Sequence, residues 1–377
     1  MNFIVSSGEL QKHLSAVSGV VPAKSVLAVL TGVHFKLDGN RLILTGSDIE
    51  NTIQTSLSVE AEPGASFDAA IPAKILQDTI KALPEQPLRF HFDGDNAVKI
   101  VTDNGEYAIS AHKGSDFPSL PPIDNAEAIK IAAPVLVKAI NKTIFCCTTD
   151  ELKPAMTGVN FDFRPEHTTF AATDAHRLSR YRRFDVTVEK PVRFTLPQKA
   201  LKLLTSASLA EYLADEVVSM EFNKTAVLFR FGNMVLACRM IDATFPDFEP
   251  IVPQSSPNRA IVGKKDVVAT LKRLAIYANK STHMGRFKFE GNLLSLQAED
   301  LDGVNQANET LNCLYEGEDL EIGFNVALMQ EVVANAETED VLIEMDTPGR
   351  TAVILPNVQE ANEHLLMLLM PVMLSSY

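Results

Sequence analysis

The sequence predicts an α+β protein made of three repeated segments, each with two helices packed on antiparallel strands. One observation is an acidic residue that follows a strand-like run, because Asp48, Asp174 and Asp300 stand 126 residues apart each time. A second is the pair that closes each segment: Phe117-Pro118, Phe245-Pro246 and Met370-Pro371. Self-similarity at a fixed period indicates a repeat architecture. The 377 residues suffice for three domains of ordinary size.

The composition is that of a globular protein, with 46% apolar and 22% charged residues. Four cysteines stand at positions 146, 147, 238 and 313 without Cys-x-x-Cys spacing, which favours buried thiols in a reducing compartment. The first residues lack the pattern of a signal peptide. The longest apolar run, 365–374, is shorter than the ~20 residues that span a bilayer. We therefore expect a cytoplasmic protein with no cofactor and no metal.

The first segment alternates strand and helix patterns. Residues 3–5 form a strand pattern, and residues 8–19 have apolar side chains at helical spacing. Asp38-Gly39-Asn40 predicts a tight hairpin turn. A second helix is predicted over residues 72–83, with proline at its first position. A second hairpin is predicted around Asp93-Gly94-Asp95-Asn96.

The second and third segments repeat this order. Helices are predicted over residues 134–145, 197–208, 264–280 and 324–335. Asn325 is expected to cap the last helix in place of a proline. Hairpins are predicted near residues 290–292 and 346–349. Six helices and six groups of strands result.

Proline clusters mark the segment boundaries. They lie at residues 118–122 and 250–257, where the periodicity stops. Proline-rich stretches are stiff and extended, so we expect these linkers to fix the angle between neighbouring domains. The predicted domains are residues 1–122, 128–253 and 257–377.

Charge is distributed unevenly along the chain. The net charge is −14, which by itself argues against a nucleic-acid partner. However, the six predicted helices contain twelve basic and only four acidic residues. Lysines on a single helix usually form a solvated face, but the same bias on five of six repeated helices is harder to explain in that way. If these helices share one side, that side suits a phosphate backbone in a sequence-independent contact.

Only the middle repeat continues past its acid as His176-Arg177-Leu178. His176 is a candidate catalytic residue, and Asp174 with His176 resembles a metal pair. No phosphate loop, nucleophile elbow or second carboxylate cluster accompanies them, so a pocket wall is the favoured interpretation. Asp174 is expected to tie the following turn through its side chain.

The apolar ending, residues 368–374, permits two interpretations. It fits a final edge strand packed on the third domain. It also fits a groove wall, because methionine side chains repack readily around different partners. Both can hold, since one strand has two faces.

Four stretches together resemble one known family. They are Thr173-Asp174-Ala175-His176-Arg177-Leu178, Phe245-Pro246-Asp247-Phe248, Glu321-Ile322-Gly323-Phe324-Asn325 and Met370-Pro371-Val372-Met373-Leu374. On these marks the chain resembles the bacterial DNA sliding clamps, the β subunits of the replicative polymerase, over nearly its whole length. The resemblance implies the DNA clamp fold and a homodimeric ring of six domains, with helices lining a hole for duplex DNA. It implies a non-catalytic processivity factor that tethers the polymerase, the clamp loader and repair factors through short apolar peptides.

The resemblance also implies three groups of site residues. The partner-peptide pocket would consist of Met156, Thr173, Ala175, His176, Arg177, Leu178, Pro246, Ile251, Leu368, Leu369, Met370, Pro371, Val372, Met373 and Leu374. The DNA-facing residues would be Lys24, Lys74, Lys199 and Lys202. In the dimer interface, an edge strand at Tyr107 and Ile109 would meet the region of Ile276 and Tyr277 in the second subunit.

Several positions differ from what is usual in the family. Ala175 replaces a glycine, Met373 an arginine and Glu106 a basic residue. Pro154 and Ala155 stand where aromatic residues are common. The chain also extends past the usual last leucine by Ser375-Ser376-Tyr377. These differences concern the pocket rim, the DNA-facing loop and the charge pairing of the interface.

Two classes of function remain open on the sequence. One is a non-catalytic processivity ring; the other is an enzyme or a peptide-binding scaffold that shares the repeated fold. The basic helices and the missing catalytic set favour the ring.

Overall fold

The computed structural model describes residues 2–92, 97–123, 127–214, 216–300 and 305–374. The turn expected at Asp93-Gly94-Asp95-Asn96 and the Ser375-Ser376-Tyr377 extension lie outside these residues. None of the helices described is long and apolar enough to cross a membrane.

Seven α-helices occur in the described ranges: α1 (Ser7–Ser18), α2 (Ala73–Ala82), α3 (Ala133–Asn141), α4 (Gln198–Leu204), α5 (Ala207–Leu213), α6 (Lys264–Tyr277) and α7 (Val326–Ala334). The strands of the first segment are β1 (Asn2–Ser6), β2 (Gly32–Asp38), β3 (Arg41–Ser47), β4 (Asn51–Ser58), β5 (Glu60–Ala61), β6 (Asp68–Pro72), β7 (Pro87–Phe92), β8 (Ala97–Val101), β9 (Glu106–Ser110) and β10 (His112–Lys113). Those of the second are β11 (Glu127–Ala132), β12 (Gly158–Phe163), β13 (Thr168–Thr173), β14 (Arg177–Arg183), β15 (Val192–Pro197), β16 (Val217–Phe222), β17 (Ala226–Phe231) and β18 (Met234–Arg239). Those of the third are β19 (Asn258–Gly263), β20 (Met284–Glu290), β21 (Leu293–Asp300), β22 (Asn305–Glu316), β23 (Leu320–Asn325), β24 (Asp340–Met345), β25 (Ala352–Pro356) and β26 (Glu363–Leu369).

All six predicted helices are present, with ends shifted by a few residues. The Asn325 side chain accepts hydrogen bonds from the amides of Ala327 and Leu328, which confirms the predicted cap. The predicted helix over residues 197–208 is wrong in extent. It stops at Leu204, and a separate helix, α5, follows after Thr205 and Ser206. Both residues favour caps and turns over helix interiors, which explains the break.

The contacts of the chain form two compact units. Unit 1 comprises Met1–Val137 with Lys199–Met240, and unit 2 comprises Lys138–Gln198 with Ile241–Tyr377, each for its described residues. Unit 1 contains a five-stranded sheet, β5-β1-β7-β8-β9, and a nine-stranded sheet, β10-β6-β2-β3-β4-β18-β17-β16-β11. Unit 2 contains a twelve-stranded sheet, β15-β12-β13-β14-β26-β25-β24-β19-β22-β21-β20-β23. All pairings between these strands are antiparallel, as expected for an α+β fold.

The larger sheets join strands from different repeats. In unit 1, β4 pairs with β18 from Asn51↔Cys238 to Thr55↔Met234. In unit 2, β14 pairs with β26 from Arg177↔Leu369 to Arg183↔Glu363. The expectation of a final edge strand over residues 368–374 is therefore wrong for Leu368 and Leu369: they belong to β26, an interior strand with β14 on one side and β25 on the other. A strand so strongly apolar is stable where both its edges and its inner face are covered.

Apolar side chains on the inner faces of the sheets make the cores. In unit 1, Phe3, Phe35, Phe67 and Phe90 pack ring against ring, with Phe3 and Phe90 stacked at 4.9 Å between centroids. In unit 2, Phe161, Phe163, Phe170 and Phe194 form a similar group. Such aromatic pairs are worth ~0.5–1.5 kcal/mol beyond the burial of their surface. The core of unit 2 holds the strands from which the site is built.

Candidate functional site

The middle repeat makes a tight turn between β13 and β14. The Asp174 carboxylate accepts hydrogen bonds from the amides of His176 and Arg177, both at 2.9 Å, which confirms that it ties the turn. The Thr173 hydroxyl donates to the Arg177 carbonyl at 2.7 Å and accepts from the Ala175 amide. Ala175 has φ of 77°, a left-handed conformation that costs a residue with a Cβ ~1–2 kcal/mol. The turn is thus held by side chains against backbone strain.

The first repeat builds the same turn. The Asp48 carboxylate accepts from the Asn51 amide at 2.6 Å, and Ile49 has φ of 81°. The residues that follow Asp300 lie outside the described ranges, so the third repeat offers no comparison. The repeated acid is therefore a turn-forming residue in the first two repeats.

Arg177 distinguishes the middle turn from the first. Its side chain is buried, with 8% exposed, and it binds three separate elements. The Nε donates to Asp174 at 3.0 Å and the Nη2 to the carbonyl of Phe145 at 2.7 Å, while the Nη1 contacts Glu331 of α7. The guanidinium also lies over the Phe145 ring, 5.5 Å from its centroid. Arg177 thus locks the turn to the chain before β12 and to α7.

A small apolar cavity opens beside this turn. Its volume is about 120 Å³, which suits one or two bulky side chains. Residues lining it are Met156, Thr173, Ala175, His176, Arg177, Leu178, Pro246, Asp247, Phe248, Ile251, Thr351, Leu368 and Met370. Behind it lies a buried apolar cluster of Ala171, Leu178, Phe245, Phe248, Val353, Leu366 and Leu368. A concave apolar site with a few polar groups at its rim is typical of ligand binding.

The structure brings ten of the fifteen predicted pocket residues to this cavity. Five predicted residues do not line it: Leu369, Pro371, Val372, Met373 and Leu374. Leu369 is fully buried, because alternate side chains of β26 point to opposite faces. Sequence reasoning missed Asp247, Phe248 and Thr351 as lining residues. The first two belong to a motif that the sequence had already marked, whereas nothing local to Thr351 indicates its position.

The end of the described chain runs over β23. The Met370 amide donates to the His176 carbonyl at 2.8 Å, which ties the tail to the turn. The Val372 amide donates to the Gly323 carbonyl, also at 2.8 Å. A Cβ at position 323 would lie 2.4 Å from the Val372 carbonyl oxygen, so only glycine permits this approach. Met373 is 81% exposed.

The site has no arrangement for catalysis in the part of the chain that the structure describes. His176 is exposed, and no side chain there hydrogen-bonds its imidazole. No group of three or more His, Cys, Asp or Glu side chains among those residues has the geometry of a metal site. Burial raises the pKa of the nearby Cys146 thiol well above its ordinary value, so it stays protonated and a poor nucleophile.

The predicted DNA-facing lysines occupy different surroundings. Lys24, Lys74, Lys199 and Lys202 are all exposed. However, the Lys199 ammonium forms an ion pair with Asp48. Several other helix lysines are also partnered: Lys138 and Lys142 bind Glu337 at 3.0 and 2.8 Å, and Lys12 binds Glu211 at 2.7 Å. Part of the positive charge counted on the helices is therefore neutralised locally.

The predicted interface residues are on or near open surface. Tyr107, Ile276 and Tyr277 are 38%, 76% and 40% exposed. Ile109 is only 4% exposed, because its side chain packs inward from β9. Only the backbone edge of that residue is therefore free in a single chain.

Three family models match the chain in succession. They are the N-terminal, central and C-terminal domains of the DNA polymerase III beta subunit, and they match residues 1–121, 130–247 and 249–371.

Full-length relatives and solved structures are similar to this chain throughout. A beta sliding clamp of Synechococcus elongatus is 29% identical over 362 residues, covering 94% of this chain and 96% of the relative. That of Bacillus subtilis is 23% identical, covering 99% of both. The DNA polymerase III subunit beta of Pseudomonas aeruginosa has a TM-score of 0.92 at 22% identity, covering 99% of this chain and all of that one. A sliding clamp from the same organism, bound to griselimycin, has a TM-score of 0.91 at 23% identity, covering 99% of this chain and all of that one.

Proposed function

Since the chain belongs to the DNA polymerase III beta subunit family, we propose that it closes as a homodimeric ring around duplex DNA and holds partner proteins through the cavity beside Arg177. The observation that carries this proposal is the succession of all three family domains over nearly the whole chain. A member of this family is a processivity clamp and not an enzyme. We place its domains at residues 1–122, 128–253 and 257–377, and we place the protein in the cytoplasm, where the DNA is replicated.

Two open strand edges support the ring. In unit 1, β9 pairs with β8 and with no other strand among the described residues, so it ends its sheet. In unit 2, residues 305–312 of β22 pair with β21 and with no other described strand, while residues 313–316 pair instead with β19. An open edge presents unpaired backbone groups that can pair with another chain. Joining β9 of one subunit to β22 of the next gives a head-to-tail contact, which closes a ring when made twice.

The ring predicts a molecular mass twice that of the 41.3 kDa chain. Light scattering at micromolar concentration should show this dimer. Replacing Ile276 by lysine should shift the protein toward monomer, because a charge buried in an interface without a partner is costly. Val358, which is 67% exposed, offers a matched control: Val358→Lys should leave the mass unchanged. A wild-type monomer or trimer would contradict the proposed geometry.

The protein should stay on DNA because the closed ring encircles the duplex, and not because it binds the duplex tightly. Direct affinity should be weak, because a ring that slides makes few simultaneous phosphate contacts. A clamp loaded onto nicked circular plasmid by the clamp loader should co-elute with the DNA in gel filtration. It should be lost once a restriction enzyme linearises that plasmid. Equal retention on both forms would indicate binding by affinity and would contradict the ring.

Charge reversal on α4 tests which face meets DNA. We expect Lys199→Glu with Lys202→Glu to lower loading and processive synthesis severalfold. Both side chains are exposed, but Lys199→Glu also removes the ion pair with Asp48, so circular dichroism should show that the fold persists. Exposed lysines outside the helices give a control of equal charge change, Lys190→Glu with Lys224→Glu. If the control pair lowers loading and processive synthesis as much as the α4 pair does, the effect comes from net charge alone and not from the position of α4.

The cavity is proposed to bind short peptides with bulky apolar side chains. Two such anchors contribute ~1.5–3 kcal/mol each before ordering costs. An affinity near ~1 μM requires ~8 kcal/mol, so backbone and rim contacts of the peptide would supply the rest. Partners held at this strength can exchange on one ring. The dimer would present the cavity twice, so a polymerase and a repair factor could bind to one ring at the same time. Griselimycin, which binds clamps of the same fold, offers a competitor for these peptides.

A further inference from the structure

The strand that begins at the pocket carries two arginines on the same face as the pocket wall. Side chains alternate along β14, so Leu178, Arg180 and Arg182 share one face. The register places Leu178 beside Leu368 and Arg182 beside His364 of β26. At ~3.3 Å per residue, the two arginines lie ~7 and ~13 Å along the strand from Leu178. Charged side chains, one buried and one partly exposed, therefore begin where the apolar cavity ends.

One carboxylate serves both guanidiniums. The Arg180 Nη1 donates to Glu249 Oε2 at 3.0 Å, and the Arg182 Nη2 donates to Glu249 Oε1. Glu249 follows Phe248 and begins the 3₁₀ turn Glu249–Ile251, and both Phe248 and Ile251 line the cavity. The acid thus sits between the cavity and the arginines. Two positive charges share one negative charge.

Arg180 is incompletely satisfied. Arg180 is only 6% exposed, yet its Nε has no hydrogen-bond partner among the described residues. A buried charge normally has its hydrogen-bonding groups satisfied, because leaving one unmade carries its full desolvation cost. The Nδ1 of His364, one strand away, is also buried and unpartnered within the described chain. This arrangement has capacity for one more acceptor.

The described residues around Arg180 do not supply that acceptor. Asp162 is engaged by Arg164 at 2.8 Å. Apart from Glu249, the side-chain partner of Arg182 in the described chain is the Thr169 hydroxyl, at 3.3 Å. Glu166 is exposed, in the turn between β12 and β13. Burial and then the charges of Arg180 and Arg182 lower the pKa of His364, which disfavours its charged form. The two positive charges of Arg180 and Arg182 are therefore balanced by the single negative charge of Glu249.

We propose that Arg180 and Arg182 form a carboxylate-binding subsite next to the apolar cavity, which selects partner peptides that carry an acidic residue beside their apolar anchors. This proposal rests on the proposed function of the cavity. The Arg182 side chain is 24% exposed and that of Glu249 is 49% exposed, so an incoming carboxylate reaches Arg182 from solvent and competes with Glu249 for the pair. Hydrogen bonds between charged groups are about twice as strong as neutral ones, which gives the subsite its selectivity.

The test compares peptides with one apolar core and one variable neighbouring residue, Glu, Gln or Lys. Calorimetry on the full-length protein should show the Glu peptide binding about tenfold more tightly than the Gln peptide, with the Lys peptide weakest. Arg182→Gln should remove the preference for Glu while the Gln peptide keeps its affinity. Glu249→Gln should strengthen binding of the Glu peptide, because the internal competitor is gone.

Arg230→Gln is the matched control. Arg230 is also a strand arginine that pairs with one glutamate, Glu221, but it belongs to unit 1. We expect it to leave all three affinities unchanged. Equal affinity of the wild type for the Glu and Gln peptides would overturn the subsite and leave the cavity proposal intact. Failure of all three peptides to bind would instead overturn the proposed function of the cavity.

Discussion

Replacing Arg177 by alanine should destabilise unit 2 by about 3 kcal/mol and weaken peptide binding more than tenfold. The substitution leaves Asp174 and the Phe145 carbonyl without their charged donor, and both lie beside a side chain that is only 8% exposed. The turn that shapes the cavity would then lose its contact with α7. Urea denaturation followed by circular dichroism, together with peptide calorimetry, measures both effects.

Two further variants separate the roles of this arginine. Arg177→Lys keeps the charge but not the three-way fork, so it should recover only part of the stability. Glu331→Gln removes the partner that is 57% exposed, and it should cost less than ~1 kcal/mol. If Arg177→Ala and Glu331→Gln lower the free energy of unfolding by the same amount, the buried contacts to Asp174 and Phe145 contribute nothing. The proposed locking role of Arg177 would then be wrong.

Deleting residues 370–377 should weaken peptide binding by ~10- to 100-fold while the dimer persists. Met370 lines the cavity, and its amide is bonded to the His176 carbonyl, so the deletion removes an apolar wall and a tether of the turn. Loss of one large apolar contact is worth ~1.5–3 kcal/mol. The deletion spares β26, which ends at Leu369, and both open edges, β9 and residues 305–312. Calorimetry and light scattering on the same sample test both halves of the expectation.

The shorter deletion of residues 375–377 is the control. It spares the Met370 and Val372 contacts, so peptide affinity should stay within about twofold of the wild type. Undiminished peptide binding after the longer deletion would place the site elsewhere.

Local patterns predicted much of this structure. Asn325 caps its helix, Gly39 and Gly291 occupy hairpin turns with φ of 57° and 55°, and Asp174 forms its turn as expected. These features depend on residues a few positions apart, whose conformational preferences hold in any context. The resemblance to a known family then predicted most of the residues that line the cavity. It could do so because a family pattern relates positions that are far apart in the sequence.

The sequence by itself determined the threefold repeat, the order of helices and strands, and the turn that carries Arg177. Only the tertiary structure decided that β26 is an interior strand, that Lys199 is paired with Asp48, and that Glu249 bridges Arg180 and Arg182. The physical reason is that these partners are far apart along the sequence. Glu249 lies 69 positions from Arg180, and Lys199 lies still further from Asp48. Charge and hydrophobicity along the chain show which groups need partners, but strand register and packing choose which partners they meet.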